Sequence, residues 1–320
     1  MNTRDLLLLA NHLWQSSIFA IAVWLLTLAL KKNRAALRYW LWLAASVKFI
    51  VPFSLLVNVG GLVRWRTTPI PPQIQSLSVI ETVSQPFLRA GQFTNQGGAA
   101  STDSLGLVLL GIWVCGFAAN LMFWVWCGKR IRVARRNSTP LRLGIPVPVF
   151  STNSRMGPSV FGLRKPVVLL PGGITAHLSP AQLDLVVGHK MCHIIRRDNL
   201  TAAIPMIVET LFWFYPVVWW IRAQLVTERE LACDEEICEQ GHAPEEYAEC
   251  ILKVCRFYIT STPIWVSGVT GGSLKRRIRA ILTNSKPKRL GIRKKDDAGA
   301  LGELRDYGAS RGRHYQCTSN

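Results

Sequence analysis

Three long apolar runs dominate the N-terminal part of the chain, at about residues 12–30, 39–63 and 105–127. Each run reaches the ~20 residues that an α-helix needs to cross the hydrocarbon core of a bilayer. The pattern therefore predicts three transmembrane helices, with Lys48 unusually deep in the second. The first run lacks a strong basic region before it and a clear small-residue cleavage site. We therefore do not expect it to be a removable signal peptide.

Basic residues lie at particular ends of these runs. They are Lys31, Lys32, Arg34 and Arg38 between the first two runs, and Lys129, Arg130, Arg132, Arg135 and Arg136 after the third. Lys and Arg beside a span favour its cytoplasmic end. We therefore expect a multi-pass protein of the inner (plasma) membrane with its N-terminus outside. Residues 64–104, which are poor in charge, would form an external loop, and residues 128–290 would be cytoplasmic.

The cytoplasmic segment has a mixed pattern. Short β-branched or apolar runs at residues 147–152 and 167–170, bounded by Pro and Gly, predict strands. The sequence Ser179-Pro180-Ala181-Gln182 is typical of a capping box with Pro at the first helical position, and an apolar stripe follows it. It predicts a helix over about residues 180–197, and we expect another over residues 228–239. We therefore expect an α+β domain over residues 128–290.

Three other stretches are less regular. Residues 211–220 are rich in aromatic side chains, and the pattern suits a membrane interface and a core helix equally well. Residues 273–279 form a basic amphipathic turn that we expect at an anionic lipid surface. Residues 291–320 are Gly-rich and charged without sustained apolar periodicity, so they predict a disordered or aberrant tail.

Composition narrows the class of protein. A net charge of +19 over 320 residues is typical of a protein that binds nucleic acid or an anionic membrane surface. The apolar runs favour membrane lipid as the partner and argue against nucleic acid. The eight cysteines show no regular framework, and reduced thiols are expected in the cytoplasm. Cys192 and Cys233 are candidates for soft metal ligands or for packed thiols.

The predicted helix at residues 180–197 carries His189 and His193 four residues apart. Such a pair projects from one helix face and can share one Zn²⁺, although a bare pair is also common in ordinary helices. The full zinc-peptidase signature is His-Glu-x-x-His, in which the Glu is the general base. Lys190 occupies that Glu position here. The acidic stretch at residues 228–234 offers a third ligand, or it is a solvated helix face.

Taken together, several stretches resemble the membrane zinc metallopeptidases of the BlaR/MecR antirepressor type, the β-lactam sensor-transducers. The resemblance covers about residues 147–282, and its matching stretches are residues 160–171, 178–179, 188–198, 213–220, 230–234 and 273–278. It implies a gluzincin-like site with His189, His193 and Glu230 as zinc ligands and Asp234 as a residue that orients a ligand. It also implies cleavage of the protein itself or of a cytoplasmic repressor after an external signal.

The chain departs from that family pattern in two ways. In the family mechanism a Glu takes a proton from the attacking water, which a protonated Lys190 cannot do, and loss of general base catalysis costs roughly 10²–10⁴ in rate. At ~6 Å and an effective dielectric constant of ~20, repulsion between the ammonium and a dication is about 5 kcal/mol before relaxation. The family also continues into a fourth transmembrane helix, and in the sensors into an external penicillin-binding domain, so we expect a C-terminally truncated member.

The sequence thus predicts an α-helical membrane protein with three transmembrane helices and a cytoplasmic α+β gluzincin-like zinc-peptidase domain. The first hypothesis is a degenerate member that is weakly active or inactive, a pseudoenzyme. The second is a working peptidase that uses another base, such as Glu228 or Glu209. The third is a non-catalytic membrane signalling or interaction protein that retains the fold.

Overall fold

A computed structural model describes residues 3–51, 86, 102–153, 157–261 and 271–283. The helices of these residues are α1 Thr3–Ala29, α2 Ala35–Ile50, α3 Thr102–Arg136, α4 Ile174–His177, α5 Pro180–Ile195, α6 Asp198–Thr201, α7 Ala203–Leu211, α8 Pro216–Glu239, α9 Pro244–Ser261 and α10 Gly271–Thr283. The strands are β1 Ser138–Leu141, β2 Val149–Thr152, β3 Ser159–Phe161 and β4 Val167–Pro171. The protein is therefore mainly helical with one small sheet.

The chain divides into two compact units. The first, which we call the helical unit, comprises Met1–Leu30, Arg38–Arg132 and Thr201–Val226. Its buried core includes Trp42, Phe49 and Ile221. The Trp42 and Trp220 rings meet edge to face with their centroids 4.9 Å apart. Aromatic packing of this kind stabilises beyond the area that it buries.

Two described helices are long and apolar enough to cross a membrane, over Leu6–Ala29 and Gly106–Arg136, and all but the last four residues of the second belong to this unit. Their large apolar side chains are widely exposed, as in Leu107 and Met122, both 67% exposed. Long helices with many exposed apolar side chains favour contact with lipid. The first and third predicted spans are thus confirmed as helices. The second begins as α2, but residues 52–63 lie outside the described part of the chain, as do residues 64–101 of the expected external loop apart from Pro86.

The aromatic stretch at residues 211–220 is not one continuous helix. Helix α7 ends at Leu211, and α8 begins at Pro216, where Pro is well suited to a first helical turn. Phe212 pairs edge to face with Phe49 in the core of the helical unit, whereas Phe214 is 41% exposed. The stretch therefore comprises the end of α7, a short turn and the start of α8, and it contributes both core and surface aromatic side chains.

The second unit, which we call the mixed unit, comprises Lys31–Leu37, Val133–Leu200 and Thr227–Asn320. Its sheet has the order β1-β2-β4-β3, and only the β2–β4 pair is parallel. The predicted strands β2 and β4 are confirmed, and every residue of β4 is buried. Strands β1 and β3 are shorter and more exposed than β4, and they were not predicted.

A tight turn joins β3 to β4. Gly162 has a φ of +98°, and a Cβ built on it would lie 2.3 Å from the carbonyl oxygen of Lys165. Only glycine tolerates this combination of backbone angle and close approach. The turn therefore fixes how β3 meets the central strand β4.

Helix α5 starts as the sequence predicts. The Ser179 hydroxyl accepts a hydrogen bond from the backbone N–H of Gln182, and the Gln182 side-chain oxygen accepts one from the backbone N–H of Ser179. These two bonds complete the capping box. The buried side chains of Leu185 and Val186 on α5 join a core shared with the sheet, α9 and α10. This packing fixes the rotation of α5 and hence the face on which its histidines lie.

Helix α10 does not simply present a basic surface. Leu274, Ile278 and Ile281 pack on the core of the mixed unit, and Arg276 and Arg277 bind acidic side chains of α8. Lys275 and Arg279 remain exposed. At least two of the basic residues that were expected to face lipid therefore have protein partners. The predicted tail at residues 291–320 lies outside the described residues.

Candidate metal centre

Helix α5 brings His189 and His193 together on one buried face. Their Nε2 atoms are 3.2 Å apart, and the two rings are nearly perpendicular at 88°. The two residues are 5% and 8% exposed respectively. The four-residue spacing therefore produces the convergence that the sequence predicts, because residues i and i+4 lie one above the other on a helix.

Helix α8 supplies Glu230 to the same point. Glu230 Oε2 lies 3.4 Å from His189 Nε2, and Oε1 lies 3.6 Å from His193 Nε2. The three side chains that were expected to hold zinc are thus brought together by two helices. Asp234, one turn further along α8, is 2% exposed and lies behind His189.

The far nitrogen of His193 is held by a carboxylate. Asp198 Oδ2 lies 2.7 Å from His193 Nδ1, and Arg196 Nε donates to Asp198 Oδ1 at 3.3 Å. A carboxylate accepts only, so Nδ1 carries the proton and Nε2 presents its lone pair to Glu230. Burial lowers the pKa of His193, but Asp198 and then Cys233 outweigh burial and raise it above its usual value.

The far nitrogen of His189 is held by a phenol. Tyr247 of α9 lies 2.9 Å from His189 Nδ1 and donates to Asp234 Oδ1 at 2.7 Å. Arg277 donates to both oxygens of Asp234 at 2.7 Å. Because the hydroxyl has one proton and gives it to Asp234, Nδ1 of His189 must be the donor to Tyr247. The lone pair of His189 Nε2 therefore also faces Glu230.

Lone pairs from His189, His193 and Glu230 thus converge within 3.2–3.6 Å with no proton between them in this tautomeric arrangement. Such a cluster needs a shared cation, either a metal ion or a proton on His193. Two imidazoles and one carboxylate are the donor set of catalytic zinc sites, which leave a further position open. The residues present therefore fit Zn²⁺.

Charge and burial favour the metal-binding forms of two of these side chains. Burial lowers the pKa of His189 to about 4, so the ring is neutral at pH 7. Burial alone raises the pKa of Glu230, but contact with His189 and the charges of His193 and Lys190 hold it well below its usual range. A neutral imidazole and an ionised carboxylate are the forms that bind a divalent metal.

A second group of potential ligands uses the opposite nitrogen of His193. Cys233 Sγ lies 3.4 Å from His193 Nδ1 and 3.9 Å from Asp198 Oδ2. Burial, followed by a hydrogen bond with Cys192, raises the pKa of the Cys233 thiol well above its usual value. The thiolate is the form that binds metal, so this group is a weaker candidate than the one around Glu230. Both Cys192 and Cys233 are buried thiols.

Lys190 lines a cavity of about 80 Å³ together with His189, Tyr247 and Arg277, and most of the other lining side chains are apolar. The cavity exceeds the ~15 Å³ that a single water requires. Burial lowers the pKa of Lys190, although the charge of Glu230 opposes this shift. The side chain therefore lies beside His189, one of the three candidate metal ligands, as expected for the position after the first histidine.

The two acidic residues considered as substitute bases have other partners. Glu228 is 2% exposed and accepts from Arg276 of α10. Glu209, in the helical unit, accepts from Arg222 at 2.8 Å. Neither belongs to the cluster formed by His189, His193 and Glu230.

Three residues with positions in this network were not singled out individually from the sequence, namely Asp198, Tyr247 and Arg277. Asp198 and Arg277 lie inside stretches that carry the family resemblance, but nothing in their spacing assigns them a partner. Tyr247 lies outside those stretches. Apolar periodicity places Tyr247 on the buried face of α9, yet only the fold shows that its hydroxyl reaches Asp234 and His189.

Comparison with known proteins identifies the family of this chain. The family model described as BlaR1 peptidase M56 matches residues 7–281. This chain belongs to that family. The match includes all but the first residue of the two membrane-spanning candidates, and it includes the candidate metal ligands His189, His193 and Glu230.

The curated relatives have low sequence identity to this chain. Regulatory protein BlaR1 of Bacillus licheniformis is 19% identical over 304 residues, which cover 86% of this chain and 50% of the relative. Methicillin resistance mecR1 protein of Staphylococcus aureus is 21% identical over 169 residues, 48% of this chain and 29% of the relative. The chain thus spans half or less of the length of these relatives.

Proposed function

We propose that this protein is a membrane-bound zinc metallopeptidase homologue of the BlaR/MecR type, acting in regulated proteolysis for signalling and impaired by Lys190. The ligands are His189, His193 and Glu230. The observation that carries the proposal is the convergence of His189 Nε2, His193 Nε2 and the Glu230 carboxylate oxygens, at distances of 3.2–3.6 Å. The expected substrate is the protein itself or a cytoplasmic repressor, and the membrane partner is lipid.

When bound, zinc polarises a peptide carbonyl and makes water a better nucleophile near neutral pH. The protein holds both imidazoles in the Nδ1–H form, His193 through Asp198 and His189 through Tyr247. Lys190, at the position of the family's base, has no lone pair when protonated and takes no proton from water. The reaction is therefore expected to lose the roughly 10²–10⁴ that general base catalysis supplies.

A second candidate function is a non-catalytic membrane signalling or interaction protein that retains the peptidase fold. The observation that favours it is again Lys190, because one substitution removes the base while the capping box, the core and the ligand cluster are kept. The two candidates differ in whether any peptide bond is cleaved.

The proposed topology places the N-terminus outside and the mixed unit in the cytoplasm, with three spans at about residues 12–30, 39–63 and 105–127. It is supported by the two membrane-spanning candidates and by Arg135 and Arg136 in the last turn of α3. Reporter fusions after Leu30 and Arg136 should report the cytoplasm, and a fusion at Gln92 the outside. An external signal from the fusion after Arg136 would reverse this orientation.

The decisive experiment compares wild-type protein with Lys190→Glu and Lys190→Gln, each purified in detergent. Zinc affinity is measured by competition with a chromophoric chelator, and self-cleavage by mass spectrometry. Both variants remove the ammonium beside the ligands, so both should bind zinc more tightly than wild type. Only Lys190→Glu adds a base, so cleavage should rise by about 10²–10⁴ in that variant alone.

The matched Gln variant separates electrostatics from proton transfer, and His189→Asn checks that the measured zinc sits at this cluster. If Lys190→Glu binds zinc without cleaving itself, the non-catalytic function is favoured. If none of these proteins binds zinc, the metal centre is wrong and the peptidase proposal fails with it.

A further inference from the structure

We propose that Tyr247 is a positioning residue for His189, and that its hydroxyl relays the Asp234 carboxylate to the Nδ1 atom of the ring. The relay is the chain of contacts from Arg277 through Asp234 and Tyr247 to His189. The proposal uses the metal centre of the proposed function for one readout, and a second readout is independent of metal.

Distances show that the phenol, not the carboxylate, contacts the ring directly. Asp234 Oδ1 is 3.4 Å from His189 Nδ1, beyond the usual 2.7–3.2 Å of a strong hydrogen bond. The Tyr247 hydroxyl is 2.9 Å from the same nitrogen and 2.7 Å from Asp234. Asp234 therefore acts on His189 mainly through Tyr247.

Arg277, at the end of the relay away from His189, fixes the direction of proton donation. Arg277 donates to both oxygens of Asp234, as expected for an ionised carboxylate that accepts in bidentate fashion. The carboxylate therefore takes the Tyr247 proton, and the hydroxyl oxygen accepts from His189 Nδ1–H. This order leaves His189 Nε2 free for the shared cation.

Packing makes the hydroxyl position rigid. Tyr247 is 2% exposed and lies in the core of the mixed unit with Cys250 and Ile251 of the same helix. A buried hydroxyl is costly unless it is hydrogen-bonded, and this one satisfies both its donor and acceptor roles. The two histidines thus differ, since His193 meets its carboxylate directly at 2.7 Å.

The metal-free test uses the ¹⁵N-histidine-labelled full chain in detergent, prepared with chelator. Two-bond ¹⁵N–¹H correlation spectra distinguish the two imidazole tautomers, and the His189 signal is the one that is lost in His189→Gln. In the wild type we expect the Nδ1–H tautomer. In Tyr247→Phe, which removes only the hydroxyl, we expect a mixture of tautomers. An Nε2–H tautomer in the wild type would overturn the proposal without any variant being needed.

The second readout is zinc affinity by chelator competition. Loss of a group that orients a ligand histidine typically weakens metal binding 10–100-fold, and we expect that loss in Tyr247→Phe. The matched control is Tyr39→Phe in the helical unit, where a buried tyrosine hydroxyl contacts Thr201 at 2.6 Å. Its zinc affinity should equal that of the wild type.

The two readouts separate the two proposals. A wild-type Nδ1–H tautomer that is lost in Tyr247→Phe supports the relay even if no zinc binds, in which case only the metal centre fails. Zinc binding with the same affinity and the same tautomer in wild type and Tyr247→Phe overturns the relay and leaves the metal centre intact. A loss of affinity that Tyr39→Phe shares points to general destabilisation and likewise counts against the relay.

Discussion

Replacing Arg277 by Gln should loosen the mixed unit strongly. Arg277 donates to both oxygens of Asp234 at 2.7 Å and lies 3.3 Å from Glu230. The Arg277 side chain is 16% exposed and that of Asp234 only 2%, so the pair is largely screened from solvent. Removing one partner of a buried ion pair leaves an uncompensated charge and costs roughly 3–5 kcal/mol.

Cys250 offers a direct measure of that loss. It is 1% exposed, its thiol donates to the Gln182 carbonyl, and burial raises its pKa to about 12. At pH 8 the folded thiol is therefore unreactive, and labelling by an alkylating reagent reports opening of the unit. At about 1.4 kcal/mol per tenfold change, the loss predicts labelling of Cys250 that is roughly 10²- to 4×10³-fold faster in Arg277→Gln.

The matched control is Lys253→Gln on the surface of α9. Lys253 and Glu249 form an ion pair at 2.8 Å with side chains 45% and 60% exposed. Exposed pairs of this kind contribute about 0.3–0.5 kcal/mol, so labelling should change by less than about threefold. If Arg277→Gln is labelled no faster than Lys253→Gln, the Arg277–Asp234 pair does not stabilise the unit and our reasoning about it is wrong.

Two further predictions use the same protein. Asp198→Asn keeps the shape of the side chain but loses the charge that holds His193 Nδ1. Zinc affinity measured by chelator competition should therefore fall 10–100-fold. The control Asp184→Asn, on the same helix as His193, should leave zinc affinity unchanged. Gly162→Ala should destabilise the mixed unit by about 1–3 kcal/mol in the Cys250 labelling assay, because φ is +98° and the new Cβ would meet the Lys165 carbonyl. A Cβ added at Gly272 would meet open space, so the control Gly272→Ala should be near neutral. Equal zinc affinity in both aspartate variants, or equal labelling in both glycine variants, would contradict these assignments.

Local patterns in the sequence were enough to predict several elements. The start of α5 follows from Ser179, Pro180 and Gln182, whose capping contacts involve residues only three positions apart. Strands β2 and β4 follow from short apolar runs, and the first and third spans from runs of apolar residues. These features depend on neighbours along the chain, so they can be read without knowing the fold.

Features that depend on distant contacts were missed or only partly predicted. Strands β1 and β3 are short and partly exposed, and the pairing with β2 and β4 that defines them is not encoded in their own composition. The basic character of α10 suggested a lipid surface, but Arg277 has its partner in Asp234, 43 residues away along the chain. Charge alone does not distinguish an arginine that faces lipid from one that pairs inside a domain.

At the candidate site, the amino-acid sequence alone predicts that His189 and His193 share a helix face and shows that Lys190 stands where the peptidase signature has Glu. Helix periodicity and residue identity are sufficient for both. The contacts of Glu230 with these histidines, and of Asp198 and Tyr247 with the far ring nitrogens, are visible only in the fold, because they join residues up to 58 positions apart. Hydrogen bonds of 2.7–2.9 Å require each donor and acceptor to be placed within tenths of an ångström, and that placement comes from the packing of α5, α8 and α9 in the mixed unit.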